Sequence, residues 1–185
     1  MKGWELMATE FDPDRFREAV MYIAWRTRDD ARFGRVKLAK ALFYADFDAY
    51  ADGGEVITGA RYEHWPFGPF PPILYDVEKQ LERSGLAELV GGDFEGDEKK
   101  LIAKAEPDTP HLGLWQRAAL DVQIKQLAGS ASRTVSEKPH EHPAWLVTRH
   151  REAIPYAAAL LPSTPSPEAM EIARRRSADQ GHSAA

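Results

Sequence analysis

The residue types best suited to chemistry are scattered, and each group fails on spacing. His140-Glu141-His142, with His150 and Glu152 close behind, gathers metal-ligand types in one stretch. Pro139 and Pro143 bracket it, so the two histidines do not stand one turn apart on a helix, as helical zinc enzymes require. A polar turn between helices is the favoured reading, and no metal or other cofactor is expected. Asp46 and Asp48 are two residues apart. Helix positions i and i+2 do not face each other, so these are not a general acid–base pair; like Asp29-Asp30 they are expected to be solvated charges. Ser130, Ser132, Thr134 and Ser136 precede His140, but no third group is implied to orient that base, and helix capping accounts for Ser130. Gly54 to Gly59 has the glycine spacing of a phosphate loop, yet Ala60 and Arg61 stand where a lysine and a metal-binding hydroxyl are needed. The absence of cysteine removes thiol nucleophiles, thiolate zinc sites and disulfides together. No residue is assigned a catalytic role, and a non-enzymatic protein is expected.

The aromatic residues are more informative. Tyr62, Trp65, Phe67 and Phe70 fall within nine residues, in a segment stiffened by Pro66, Pro69, Pro71 and Pro72. Aromatics on a stiff loop lose little entropy when they bind, and protein interfaces are enriched in them. Trp65 is expected in the core, while Phe67 and Phe70 stand open between plugging the core and meeting a partner. With Tyr75 and the exposed side of the helix that follows, these four are the candidate contact residues.

The elements that must position them follow from pattern. Asp12-Pro13 opens a helix carrying Phe16, Val20, Ile23 and Ala24 on one face. A second helix, from about Arg35 to Asp52, is apolar on two adjacent stripes and belongs at the centre of the core; Gly53-Gly54 ends it. Glu55 to Trp65 reads as a loop with one short strand, and Trp65 to Pro72 as a shaped loop, because its prolines exclude helix interior and central strand. A third helix starts near Pro71 or Pro72 and stops at Ser84-Gly85. Leu86 to Val90 and Leu101 to Ala105 flank a glycine-rich acidic tip as a hairpin. Thr109-Pro110 is expected to cap a fourth helix holding Trp115, Ala119, Val122 and Leu127. Ser130 to Lys138 is expected to be a short helix, and Trp145 to Leu161 a further apolar stretch in which Pro155 sets a start or break. The expectation is a mainly α, α+β domain: five to six helices around a central buried helix, a short strand and a small antiparallel hairpin. Residues 12–161 form this domain, with flexible ends at 1–11 and 162–185.

The 185 residues carry a net charge of −5 and a pI near 5.7, an unfavourable start for binding phosphates. The element order matches a winged-helix DNA binder, with Pro72 to Arg83 as recognition helix and Gly91 to Asp97 as wing. That wing holds Asp93, Glu95 and Asp97, followed by Glu98, so nucleic acid is not the expected partner; a DNA-binding regulator is the alternative reading. Neither a secretory signal nor a membrane span is read, and a cytoplasmic protein is expected.

Val36-Lys37-Leu38-Ala39-Lys40-Ala41-Leu42-Phe43-Tyr44-Ala45-Asp46, then Tyr62-Glu63-His64-Trp65-Pro66-Phe67-Gly68-Pro69 and Leu74-Tyr75-Asp76, resemble the Panacea domain, also called the SocA-like antitoxin domain. Ser136, His140, Pro143, Trp145 and Ile154-Pro155-Tyr156 are similar to that family's later motifs. The resemblance spans about Phe33 to Leu161. Phe70 departs from it, standing where a small apolar residue is usual, and so does the long acidic hairpin. The resemblance implies an antitoxin, from a bacterium or phage, that neutralises a cognate toxin protein by direct binding. Some members are described as linking the toxin to a protease. Lys37 and Lys40 join the candidate contact residues on this basis, and Gly68, Pro69, Trp145, Pro155 and Tyr156 are implied as structural motif positions. The terminal Ala184-Ala185 is similar to bacterial degradation tags, although an alanine-rich end arising by chance is the favoured account.

Overall fold

The computed structural model describes residues 9–92, 98–128 and 148–161. The expected 130–138 helix, the His140 cluster, Trp145, the hairpin tip and most of both end segments lie outside them.

Asp12 starts the first helix as its residue type dictates. Its carboxylate accepts from the Arg15 N–H at 2.9 Å, Pro13 fills the first turn, and α1 runs Pro13–Arg26. Phe16, Val20, Ile23 and Ala24 on its apolar face are all fully buried. Helix α2 (Arg35–Gly53) is buried from Lys37 to Phe47 on almost every side and ends at Gly54, whose φ of 72° makes the left-handed turn a side chain would resist. Around it stand β1 (Glu63–Trp65), β2 (Gly68–Phe70), α3 (Leu74–Arg83), β3 (Ala87–Val90), β4 (Lys100–Ala103), α4 (Leu114–Leu127) and a closing 3-10 turn (Tyr156–Leu160). Helices α1 and α4, strand β2 and the 3-10 turn all pack on α2, which is the central helix the two apolar stripes require. Among the described residues there are four α-helices, fewer than the five to six expected.

The proline-rich segment differs most from expectation. It is a two-stranded hairpin, with Glu63 opposite Phe70 and Trp65 opposite Gly68. Prolines are tolerated because Pro66 lies in the turn and Pro69 opposite His64, at the pair whose backbone groups point out of the ladder. His64 uses those outward groups on the chain's last described segment: its N–H donates to the Glu152 carbonyl at 3.0 Å, and its carbonyl accepts from the Arg151 N–H at 2.8 Å. The Ile154 N–H to Tyr62 carbonyl bond (2.8 Å) extends this edge, so residues 151–154 act as a third strand beside β1.

Strands β3 and β4 pair antiparallel from Ala87–Ala103 to Val90–Lys100 as a separate sheet, so β1 does not join the later hairpin. Two residues at its returning end turn inward. The Glu98 carboxylate accepts from the Val36 N–H at the start of α2, which has no side-chain cap of its own. The Lys100 ammonium donates to the carbonyls of Thr27, Arg28 and Asp30 at 3.0, 2.8 and 2.7 Å, closing the C-terminal end of α1. Glu98, expected on an acidic wing, is thus a helix cap.

Helix α4 begins after Gly113, not at Thr109-Pro110, which instead forms a turn closed by the Leu112 N–H on the Thr109 carbonyl. Its buried residues are Gln116, Leu120, Gln123 and Leu127. Of the apolar residues the sequence placed on this helix, Leu127 is buried, while Trp115 and Val122 face out, 46% and 50% exposed. Of the two inward glutamines, Gln123 has a partner there, its amide donating to Asp48 at 2.8 Å.

Candidate protein-binding site

The hairpin between α2 and α3 presents one large apolar side chain to solvent. Phe67, at its apex, is 64% exposed. Gly68 follows with φ of 116°, a conformation that lets the chain reverse and that a β-carbon would strain. Beneath the apex, Trp65, Phe70 and Tyr75 form a stack, with ring centroids 5.3 Å apart for Trp65–Phe70 and 4.9 Å for Phe70–Tyr75. Two guanidiniums clamp it. Arg151 lies 4.7 Å over Trp65 and Arg35 lies 4.8 Å over Tyr75. Arg35 also grips Glu78 on α3 through two nitrogens, at 2.6 and 2.8 Å to one carboxylate oxygen and 3.0 Å to the other. Glu78 is fully buried; burial raises its pKa, and the Arg35 hydrogen bonds and charge pull it back. The hairpin therefore stands on a rigid base tied to both flanking helices.

Behind the stack lies a buried polar centre. Asp46 is fully buried and accepts from the Ile57 N–H at 2.7 Å, the Thr58 N–H at 2.6 Å, the Thr58 hydroxyl at 2.5 Å and the Tyr62 hydroxyl at 2.7 Å. The Tyr156 hydroxyl reaches it at 3.3 Å while donating to the Ala60 carbonyl at 2.7 Å. Burial raises the Asp46 pKa, and the bonds from Thr58, Tyr62 and Ile57 oppose that rise. Asp46 was expected to be solvated; the structure makes it the core's polar anchor, while Asp48 is exposed as expected.

The sequence candidates thus separate by burial. Phe67 is exposed, and Trp65 and Tyr75 are partly buried. Trp65 was expected in the core and sits at its edge. Phe70 (7% exposed) and Tyr62 (1%) are inside, so they support the hairpin and offer no surface in this fold. Lys37 and Lys40, counted among the candidate contacts on the resemblance, are also fully buried and offer no surface in this fold. Helix α2 is covered on that side, and the Glu98 carboxylate acts on both ammoniums. Burial lowers both pKa values, that of Lys40 to about 8, and Glu98 offsets the effect. The Lys37 ammonium sits 5.6 Å from the Phe33 ring. Gly68 and Pro69 are buried at the hairpin, and Pro155 precedes the 3-10 turn whose Tyr156 stacks on Phe47 at 4.7 Å.

Sequence reasoning missed Arg35 and Arg151 as clamps and Ile73, 37% exposed beside the hairpin. An arginine just after a helix start gives no periodic signal, and Arg151 adopts φ of 63°, which no pattern announced. Among the described residues, no three His, Asp or Glu side chains converge as metal ligands, and no helix is long and apolar enough to cross a membrane.

Comparison with known proteins returns no match among curated proteins or solved structures. A family model does match: antitoxin SocA-like, Panacea domain, over residues 38–146. That span runs from the central helix through the aromatic hairpin, α3, both later strands and α4, well over half the chain, and on it the protein belongs to the SocA-like antitoxin family of Panacea domains.

Proposed function

We propose that this chain is an antitoxin that neutralises a cognate toxin by binding it, with the Phe67 hairpin as a principal contact. The observation that carries the reading is an exposed phenylalanine on a preorganised base, in a member of an antitoxin family. A phenylalanine held out on a clamped hairpin has little entropy to lose on entering an apolar pocket, which is how interface anchors contribute. Ile73 and Trp65 frame it, and the exposed residues of α3 extend the surface.

The function requires no catalysis: masking the toxin's working surface suffices. Delivery of the complex to a protease is a further step that belongs to this reading. The test is calorimetry between the purified chain and the product of the adjacent gene. Tight binding is expected, with Phe67→Ala weakening it at least tenfold at an unchanged unfolding midpoint. No heat of binding with the wild-type chain ends the reading; equal affinity for Phe67→Ala removes the hairpin from it.

A further inference from the structure

The outward stripe of α4 forms one wall of a groove whose other wall is α2. About 520 Å³ in volume, it is floored by Ala45, Ala49, Trp115, Ala119 and Val122. Trp115 and Val122 are about half exposed, so the floor is apolar surface left in water. All the ionisable groups that line it are acids: Asp48, Asp52 and Glu55.

Two unfavourable charge terms meet there. Asp48 and Asp52 are four apart on one helix, where like charges repel. Asp52 lies in the last turn of α2, where the helix dipole is negative and no basic residue answers it. The Gln123 amide donates to Asp48 at the rim; burial raises the Asp48 pKa, that hydrogen bond opposes the rise, and the charge of Asp52 adds to it. A cation placed against Asp48 and Asp52 relieves both. An apolar floor between two helices with such a rim matches one kind of occupant, a helix with an apolar face and lysines or arginines along one edge.

We propose that the α2–α4 groove docks a basic amphipathic helix of the partner protein. With the antitoxin reading above, that partner is the toxin, and the groove is a second contact independent of Phe67.

The experiment titrates the full-length chain with two synthetic helical peptides sharing a Leu/Ala face, one with a Lys/Arg edge and one with Glu in its place, and separately with the adjacent gene product. The Lys/Arg peptide is expected to bind at micromolar concentration, to weaken as salt rises, and to lose at least tenfold with Asp48→Lys/Asp52→Lys. The Glu peptide is expected not to bind. Because both aspartates are exposed, the double variant should keep its circular dichroism; the milder Asp48→Asn/Asp52→Asn serves if it does not, with a smaller loss. Equal binding of both peptides, equal binding to wild type and variant, or no binding overturns the proposal. So does a wild-type dimer in sedimentation that Val122→Glu dissociates, which would give the groove to a second copy. Gene-product affinity that the variant leaves unchanged overturns the proposal and spares the antitoxin reading. A wild-type chain that binds the Lys/Arg peptide but not the gene product does the reverse.

Discussion

A single carboxylate organises the interior. Asp46 gathers backbone N–H groups from Ile57 and Thr58 and hydroxyls from Thr58, Tyr62 and Tyr156 around one buried point, so the loop after α2, the entry to β1 and the 3-10 turn are all fixed to it. Removing it strands several buried donors at once, and the cost of a buried unsatisfied group is about 1–3 kcal/mol each. Asp46→Ala is expected to lower stability by about 3 kcal/mol or more in urea titration, and Asp46→Asn by less, because its carbonyl oxygen still accepts. Nothing in the sequence marked this. An aspartate two positions from another on a helix looks like solvated charge, and its donors come from 11 to 110 residues away. The lysines fail for the same reason: their type favours the surface, and only the packing around α2 says otherwise. Phe67 is the converse. Its exposure follows from its place in a proline-bounded turn, and the sequence left it open.

Among the elements, those with a strong period or a chemical stop were legible. Helix α1 has its Asp-Pro start, α2 its double stripe and glycine end, and β3–β4 its glycine-rich bend. The β1–β2 hairpin was not, because proline in a short strand depends on which backbone groups face the partner, a matter of register that composition does not carry. Helix α4 was expected to start at Thr109-Pro110 and starts at Leu114, and its buried face, which includes Gln116 and Gln123, is not one that apolar periodicity marks. The two helix caps supplied by the returning strand were equally hidden. Lys100 lies 72 residues from Arg28 and still closes α1. Lys100→Met keeps the stem and removes three hydrogen bonds to carbonyls, bonds that with a charged donor contribute about 1.5–3 kcal/mol each before the desolvation of the ammonium is subtracted. A net loss of about 2 kcal/mol is expected in thermal or urea unfolding. Hydrogen exchange should quicken first in the last turn of α1.

For the whole molecule, pH gives a test of packing between α1 and the segment before α4. The Glu18 carboxylate, 5% exposed, accepts from the His111 N–H at 2.8 Å and pairs with the His111 ring through Nδ1. The hydrogen bond to Glu18, and then its charge, raise the His111 pKa from its ordinary 6.5. The folded state therefore binds this proton more tightly than the unfolded state. The stabilisation is complete below the ordinary histidine pKa and is lost as pH rises from there through the raised value. Unfolding midpoints measured across that interval should fall with rising pH in the wild type, and His111→Gln should flatten the slope. The effect is small, since the ring is exposed.

The strand-like segment 151–154 and the Tyr156 hydroxyl also govern when this molecule becomes itself. On the ribosome, Tyr62 and Asp46 emerge long before the residues that seal them, and β1 keeps an open edge until His64 meets Arg151 and Glu152. The polar centre closes only after a further 110 residues beyond Asp46 have been made. A nascent chain thus carries its aromatic hairpin on an unfinished base, and the firmness of that hairpin is acquired late in translation.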